Sequence, residues 1–288
     1  MVFGGIAEVM IRNAMTIDVE DYFQVSAFAS HISRDTWESI PCRVERNIDK
    51  ILMLLDEKHI KATFFTLGWV AERYASMIKR IADSGHELAS HGCNHHRVYE
   101  LGAALFREDL IKSKKLLEDR GGNPVVGYRA PSFSINSQNL WAFDLLEETG
   151  YRYSSSVYPV RHDHYGMPDA PRFAFYPNPK AKLLELPVTT VSLFGRNFPA
   201  GGGGYFRLWP YAVSRWFIQK VNDHDQRPAI FYFHPWEIDP EQPRQKGIGM
   251  KTRFRHYLNL DCMEKRIRLL MNDFNWGRMD EIFLDHAG

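Results

Sequence analysis

Four reactive side chains fall at the same point of four separate apolar segments of this chain. The segments have the length and composition of buried β-strands, and their carboxyl ends carry Asp18, His91, Arg129 and His234. The parallel strands of a barrel bring their carboxyl ends to one mouth, where the following loops converge. We therefore expect these four side chains to meet in space, which restricts the chain to a parallel α/β architecture.

Helical segments alternate with the predicted strands, because apolar residues recur at helical spacing between one strand and the next. Strands are predicted at residues 13–19, 62–67, 85–90, 125–128, 183–186 and 229–233. Helices are predicted at residues 42–57, 69–84, 103–119, 138–148, 211–222 and 260–274. This alternation predicts a parallel sheet or barrel.

One stretch departs from the alternation. Residues 151–210 are rich in proline, glycine and aromatic residues and lack the polar, low-complexity character of disordered segments. We interpret them as long loops around a substrate site, and residues 244–288 as the segment that closes the domain. The sequence therefore predicts a single domain over residues 1–288.

Composition and charge exclude several classes of partner. The formal net charge of +1 gives no field to attract nucleic acid, so we expect no nucleic-acid partner. The three cysteines have no paired spacing, which argues against a disulfide framework and favours a reducing compartment. Residues 1–8 lack a basic region and a long apolar stretch. We therefore expect no membrane-spanning segment and a cytoplasmic bacterial protein, and leave open a position at the inner-membrane face and a homo-oligomer.

Two imidazoles four positions apart predict a metal site. His91 and His95 can face one ion if the residues between them form a single turn, which Gly92 favours. The pattern is short and weak when isolated. Two alternatives stay open, because His96 could substitute for His95, and Cys93 is a softer ligand on the opposite side of the turn.

The third ligand is expected to be a carboxylate. Asp18 and Glu20 face the same side if the strand continues through them, so one can bind the ion while the other takes a proton. We assign Asp18 as the general base and Glu20 as the ligand, with Asp21 as the fallback ligand if the chain turns directly after Asp18. A helix cap or loop cluster is the alternative explanation of these acids. Imidazole and carboxylate ligands suit Zn²⁺, although cobalt, nickel or iron would fit the same set.

A fixed guanidinium is predicted beside the base. Arg129 precedes the sequence Ala130-Pro131, and the proline stiffens the backbone there. Arg129 could therefore pair with Asp18 and keep it anionic, and the N–H of Ser132 could face the oxyanion of a tetrahedral intermediate. The alternative is an ordinary structural ion pair at a turn.

His234 is the candidate general acid. It follows an apolar run and precedes Pro235-Trp236, so its imidazole should lie at a strand end beside an aromatic ring. There it could protonate a departing amine, with Glu237 or Asp239 available to tune it.

Two further segments accompany these residues. Leu186-Pro187 would supply an apolar wall of the site. The glycine run at residues 201–204 lacks the Lys-Ser/Thr of a nucleotide-binding loop. We interpret the run as backbone at close approach to substrate, or as a mobile turn.

With these segments in order, the chain resembles the NodB-type polysaccharide deacetylases of carbohydrate esterase family four. The likeness is carried by the sequences MTIDVEDYF at residues 15–23, GYRAPSFSI at 127–135, GGGYFR at 202–207 and FYFHPWE at 231–237. These runs are most similar to the branch associated with bacterial exopolysaccharide and exosortase (PEP-CTERM) systems.

The resemblance implies a distorted (β/α)7 TIM-like barrel, a divalent metal that is usually zinc, and hydrolysis of N-acetyl groups on amino sugars. It makes Asp18 the base, His91 and His95 metal ligands, Arg129 the partner of the base and His234 the acid. The chain departs from the family pattern at two points. Val19 separates acids that are usually adjacent, and residues 153–156 read Tyr-Ser-Ser-Ser where the family often has an aspartate.

Our hypothesis from the sequence is a metal-dependent hydrolase of linear amide C–N bonds. It would remove N-acetyl groups from N-acetylhexosamine units of an exopolysaccharide or of its lipid-linked precursor, so its partner is a carbohydrate. One alternative is a hydrolase of a non-sugar amide or cyclic ureide on the same scaffold. Another is a glycan-binding protein without catalytic activity.

Overall fold

The computed structural model describes residues 11–162, 166–180 and 182–284. The predictions about residues 1–8, and the ends of the predicted domain span, lie outside these ranges. The strands are β1 Arg12–Val19, β2 Thr63–Thr66, β3 Glu87–Ser90, β4 Gly127–Tyr128, β5 Tyr153–Ser154, β6 Leu184–Glu185, β7 Thr190–Leu193, β8 Arg196–Pro199, β9 Ile230–Phe233 and β10 Asn275–Gly277. The α-helices are α1 Val44–Asp56, α2 Gly68–Arg73, α3 Ala75–Asp83, α4 Val98–Gly121, α5 Trp141–Glu148, α6 Gly203–Leu208, α7 Tyr211–Asp223, α8 Met250–Tyr257, α9 Leu260–Asp273 and α10 Met279–Phe283.

The main sheet is parallel and curls into a distorted barrel. Its strands follow the order β10-β1-β2-β3-β4-β5-β6. Strand β9 lies outside this order and also pairs with β1. Strands β1 to β6 and β9 form the barrel, and among the described residues no pairing joins β6 to β9. The barrel is therefore open along one seam. The predicted distorted (β/α)7 architecture is confirmed.

One row of partnered residues runs around the barrel near its carboxyl rim. Each member pairs with the next across neighbouring strands: Val19, Thr66, Ser90, Tyr128, Ser154 and Glu185. The residue that follows each strand therefore lies one step above this row. His91 and Arg129 are two such residues, which brings the segments that carry them to the same height at the mouth.

The predicted elements differ from the observed ones where the backbone breaks locally. The helix predicted over residues 69–84 is two helices, because Tyr74 has a non-helical backbone (φ −117°, ψ 51°). Helix α4 begins at Val98, five residues before the predicted start, and contains a break at Gly102 (φ 69°, ψ 174°). Within the predicted loop stretch 151–210, the structure has β5, β6, the antiparallel β7–β8 hairpin and α6.

Apolar side chains fill the barrel interior and close its lower end. Phe65, Tyr153, Leu184 and Leu186 belong to this interior cluster, together with Met279 and Ile282 of the C-terminal helix α10. The N–H of Met279 donates to Thr63 Oγ1 at the amino end of β2 (2.8 Å). The lower end is therefore occupied by packed helix, and the carboxyl rim is the end left for a site. Among the described helices, none is long and apolar enough to span a bilayer.

A buried carboxylate joins the ends of β5 and β6. Glu185 is completely buried, and its Oε1 accepts hydrogen bonds from the N–H groups of Ser156 and Val157, both at 2.8 Å. Burial raises the pKa of Glu185 from 4.5 to about 7, although these hydrogen bonds oppose the rise. The folded protein therefore binds a proton at Glu185 more tightly than the unfolded chain does.

This raised pKa predicts a pH-dependent contribution to stability. The contribution is fully present below pH 4.5 and is lost as pH rises through about 7, because deprotonation then leaves a buried charge. Above about pH 7 the folded protein has lost about 3 kcal/mol of stability from this group, at about 1.4 kcal/mol for each unit by which the pKa is raised. Glu185→Gln should remove this slope, since its amide oxygen can accept the same two hydrogen bonds.

The measurement is the free energy of unfolding by denaturant between about pH 5 and 8, with a chelator present throughout. Glu108→Gln, on the exposed surface of α4, is the matched control and should keep the parent slope. An unchanged slope in Glu185→Gln would contradict the prediction.

Candidate active site

Three buried side chains converge at the carboxyl rim. One potential ligand atom from each of Glu20, His91 and His95 lies within 4.8 Å of the others, and the three residues are at most 5% exposed. The imidazole rings of His91 and His95 have centroids 5.4 Å apart. These are the three residues predicted as metal ligands, and their arrangement leaves room for one ion between them.

The protonation of this cluster fits a divalent cation. His91 Nδ1 lies 2.8 Å from the carbonyl oxygen of Arg129. A carbonyl can only accept, so Nδ1 carries the proton and Nε2 keeps its lone pair for a ligand. Burial lowers the pKa of His91 to about 4, which keeps the ring neutral near pH 7.

The carboxylate of Glu20 is also in the form that binds a cation. Burial opposes ionisation of Glu20, but His95 and His234 outweigh it and lower the pKa of Glu20 to about 2. Glu20 Oε2 lies 2.8 Å from His95 Nε2, yet this buried oxygen accepts no hydrogen bond of ordinary geometry from the described residues. A carboxylate oxygen and imidazole nitrogens are donor atoms that bind zinc in proteins.

A tight turn brings the two histidines to the same side. Gly92 has φ +72°, and a Cβ there would lie 2.9 Å from Asp109 Oδ2. Asp109 also accepts the N–H of Cys93 (3.0 Å). Arg34 binds the carbonyl oxygens at the end of the turn, including that of His95 at 3.0 Å. Glycine is required at position 92 both for its backbone conformation and for this close approach.

The alternative ligands named from the sequence lie outside the cluster. Cys93 directs its Sγ to the carbonyl of Asp109 (3.7 Å). His96 Nδ1 lies 4.0 Å from Glu100. The fallback ligand Asp21 is buried at the start of α1, where its carboxylate accepts the backbone N–H groups of residues 22, 43 and 44. Asp21 is therefore engaged in anchoring that helix and is not available to the cluster.

A buried ion pair lies beside the cluster. Arg129 donates from NH1 to Asp18 Oδ1 at 2.5 Å and to Thr16 Oγ1 at 2.9 Å. Its other nitrogens bind the carbonyl oxygen and Oγ of Ser155 at 3.2 and 3.1 Å. Its guanidinium lies 4.0 Å over the ring of Phe65. With these partners the guanidinium is fixed, so it also fixes the orientation of the Asp18 carboxylate.

Ser132 lies on the short helical turn after Arg129. It has a left-handed backbone (φ 57°, ψ 27°), an uncommon conformation for a residue other than glycine. Its hydroxyl lies 2.5 Å from that of Ser26. The role of its N–H as an oxyanion donor stays a prediction.

His234 faces the carboxylate oxygen of Glu20 that His95 does not. Its Nε2 is 3.5 Å from Glu20 Oε1 and its Nδ1 is 3.0 Å from Glu237 Oε2. Its side chain keeps 20% of its surface exposed, so solvent can reach it. Burial alone would lower the pKa of His234, but Glu20 and Glu237 raise it to about 9. Of the two acids considered as its partner, Glu237 makes the contact and Asp239 pairs with Arg43.

Two residues of the site were missed from the sequence. Ser155 holds Arg129, and Glu185 holds the backbone that follows Ser155. Glu185 occupies the carboxyl end of its strand just as Asp18 does, so the rule that found Asp18 could have found it. Ser155 carries no comparable signal, because a serine after a strand is common in loops.

The chain is similar over part of its length to curated deacetylases. It is 31% identical over 113 residues to a Helicobacter pylori protein named peptidoglycan deacetylase, covering 39% of this chain and 38% of that protein. It is 37% identical over 84 residues to a Bacillus cereus peptidoglycan-N-acetylglucosamine deacetylase, covering 29% of this chain and 28% of that one. The chain thus spans less than two fifths of the length of either relative.

A solved structure shares the fold over nearly the whole chain. It is the crystal structure of a Mycobacterium smegmatis protein assigned as a polysaccharide deacetylase. The two are 22% identical with a TM-score of 0.57, and the likeness covers 94% of this chain and 88% of that one. At this identity the comparison supports the barrel fold.

The geometry of the cluster predicts which histidine controls metal content. His95→Ala should lower the zinc bound per chain at least about 10-fold, because the variant lacks one of the three proposed protein ligands. His96→Ala is the matched control, since it removes the neighbouring imidazole that lies outside the cluster, and should retain the parent content. Elemental analysis after dialysis against zinc measures both. Equal zinc content in the two variants would contradict the assignment.

Two family models match adjacent parts of the sequence. Residues 155–284 match a domain of unknown function, DUF3473, and this segment contains His234 and Glu237. Residues 35–154 match Polysaccharide deacetylase, and this segment contains His91, His95 and Arg129. Residues 35–154 of this chain are therefore similar to the polysaccharide deacetylase family.

Proposed function

We propose that this chain is a metal-dependent N-deacetylase. It would hydrolyse the N-acetyl groups of N-acetylhexosamine units in a bacterial exopolysaccharide or in its lipid-linked precursor. The observation that carries the proposal is the contact series across the rim. Arg129 of the Asp18 ion pair contacts His91 of the metal cluster through its carbonyl oxygen (2.8 Å), and Glu20 of the same cluster lies 3.5 Å from His234.

Glu20, His91 and His95 would hold the cation. A divalent metal bound there would supply a Lewis acid for the acetyl carbonyl and would lower the pKa of a water molecule. The other residues provide the proton transfers and the orientation. The identity of the metal as zinc stays a prediction.

Asp18 would act as the general base. Its carboxylate is held by Arg129 at 2.5 Å, so the oxygen that accepts a proton from the attacking water has a fixed direction. Such positioned acid–base groups contribute about 10²- to 10⁴-fold to rate. The N–H of Ser132 would donate a hydrogen bond to the oxyanion of the tetrahedral intermediate.

His234 would act as the general acid. Its Nδ1 is engaged by Glu237 at 3.0 Å, which leaves Nε2 directed toward Glu20 and the cluster. From there Nε2 can donate a proton to the amine as the C–N bond breaks. The products are acetate and a glycan with a free amino group.

The substrate class rests on the relatives and on the sequence motifs. The two curated relatives above act, by their names, on peptidoglycan, an N-acetylated glycan. The assignment to exopolysaccharide rests on the motif resemblance alone. The cytoplasmic location and the homo-oligomer likewise stay predictions.

The test of the proposed function is acetate release from N-acetylglucosamine oligomers by the zinc-loaded protein. Asp18→Asn should lower the rate at least about 100-fold, since the amide cannot accept the proton of water. Asp144→Asn, an exposed change on α5, is the matched control and should leave the rate unchanged. Removal of zinc by a chelator should abolish release, and adding zinc back should restore it.

Three results would contradict this function. One is the absence of acetate release from every N-acetylated oligosaccharide tried with the metal bound. A second is turnover of a cyclic ureide in place of those substrates. The third is full activity after complete metal removal.

A further inference from the structure

The carboxylate of Glu237 lies between a histidine and an arginine. Its Oε2 accepts hydrogen bonds from the backbone N–H of His234 (2.9 Å) and from the imidazole Nδ1 (3.0 Å). Its Oε1 accepts a hydrogen bond from Arg207 Nε (2.8 Å). Glu237 and Arg207 are each 1% exposed. The three side chains therefore form one buried chain of contacts that ends at the proposed general acid.

Arg207 is held rigidly by the carboxyl end of α8. Its NH1 donates to the carbonyl oxygens of His256 (2.9 Å) and Leu258 (2.6 Å), and its NH2 donates to that of Arg255 (3.2 Å). These contacts use guanidinium nitrogens that the carboxylate of Glu237 does not. The guanidinium is therefore fixed by backbone atoms, and it can fix Glu237 in turn.

The glycine run at residues 201–204 allows the backbone to pass close to the Arg207–Glu237 ion pair. A Cβ added at Gly203 would lie 2.1 Å from Glu237 Oε2, and a Cβ at Gly202 would lie 2.8 Å from the ring of Tyr232. Glycine at position 203 lets α6 begin directly against the carboxylate. Arg207, four residues later on the same short helix, then reaches Oε1.

Aromatic stacking holds the His234 ring from a second side. The ring of Trp236 stacks on His234 with centroids 5.1 Å apart and planes 20° apart. The ring of His256 in turn stacks on the ring of Trp236, with centroids 4.1 Å apart and planes 13° apart. His256 Nε2 is in turn 2.7 Å from Gln242 Oε1. The backbone that holds Arg207 and the ring that supports Trp236 thus belong to the same residue, His256.

We propose that Arg207 is a positioning residue for the general acid: through Glu237 it fixes the Nδ1–H tautomer and the ring orientation of His234. This inference rests on the proposed function. It also assigns a role to the segment that matches the domain of unknown function, since His234, Glu237, Arg207 and their supports all lie in residues 155–284. That segment supplies the proton-donating side of the site.

The first test compares kinetic constants for acetate release. In Arg207→Met, kcat should fall about 10- to 100-fold, as for other residues that orient a functional side chain. KM and zinc content should stay within about 2-fold, because Arg207 is buried and its hydrogen bonds go to Glu237 and to backbone carbonyls, not to the three proposed ligands. Arg207→Lys keeps a cation beside Glu237 but loses the fork of donors, so its kcat should lie between those of Arg207→Met and the parent.

A double-mutant cycle separates positioning from general loss of structure. Because Arg207 acts through Glu237, the variant Arg207→Met/Glu237→Gln should be no slower than Glu237→Gln alone. Arg172→Met is the matched control, since it breaks the ion pair of Arg172 with Asp225 (2.8 Å) away from the rim. It should lower stability and leave kcat unchanged. A folded Arg207 variant with the parent kcat, a loss confined to KM, or additive losses in the cycle would each overturn the proposal.

A spectroscopic measurement tests the role of Arg207 without relying on enzyme activity. Nitrogen NMR of ¹⁵N-histidine-labelled protein reports the tautomer of His234 when the spectrum is recorded above its pKa of about 9, where the ring is neutral. The His234 signals are assigned by their absence in His234→Gln. The parent and Arg207→Lys should show the Nδ1–H form, and Arg207→Met a mixture of tautomers. If the parent releases no acetate, the proposed function fails, and this spectrum still decides the role of Arg207. An Nδ1–H signal unchanged in Arg207→Met would overturn it, as would failure of the Arg207→Lys spectrum to match the parent.

Discussion

The parallel register of the barrel determines where chemistry can occur in this protein. Hydrogen bonds between neighbouring strands hold one paired residue of each strand, in the row that begins with Val19 and ends with Glu185, at the same height in the barrel. The residues just beyond that row form the rim. His91 and Arg129 therefore meet without any long loop to carry them. A shift of one residue in any of these pairings would turn a reactive side chain to the opposite face of the sheet. The same backbone pairing thus specifies the barrel and the site.

Burying a carboxylate costs free energy unless a positive or hydrogen-bonding partner accompanies it. The three buried acids of the site, Asp18, Glu20 and Glu237, have partners of different kinds. Asp18 and Glu237 each face a fully buried arginine, whose charge is permanent. Glu20 faces imidazoles, with His95 at 2.8 Å and His234 at 3.5 Å, and imidazoles can give up their protons. Asp18 and Glu237 therefore each have a permanent positive partner. Glu20 does not, so a bound cation can neutralise its charge.

Much of the barrel and of the rim could be predicted from the sequence, because each reactive residue lies at the end of a short segment with the composition of a buried strand. The break at Tyr74 could not, since apolar positions continue at helical spacing on both sides of it and the break depends on packing. Arg207 could not either: its partners Glu237 and the carbonyl of His256 are 30 and 49 residues away. Contacts of that separation are made by the tertiary fold and leave no local pattern.

The boundary between the two family matches falls inside the site. Ser154 ends β5 and the first match, while the next residue, Ser155, begins the second match and binds the guanidinium of Arg129. The pieces on either side of this point are therefore not autonomous modules. A gene fusion that replaced one of them with an unrelated sequence would leave Arg129 without two of its anchors and Glu20 without His234. We expect the two segments to diverge together in evolution and to be inherited as one unit.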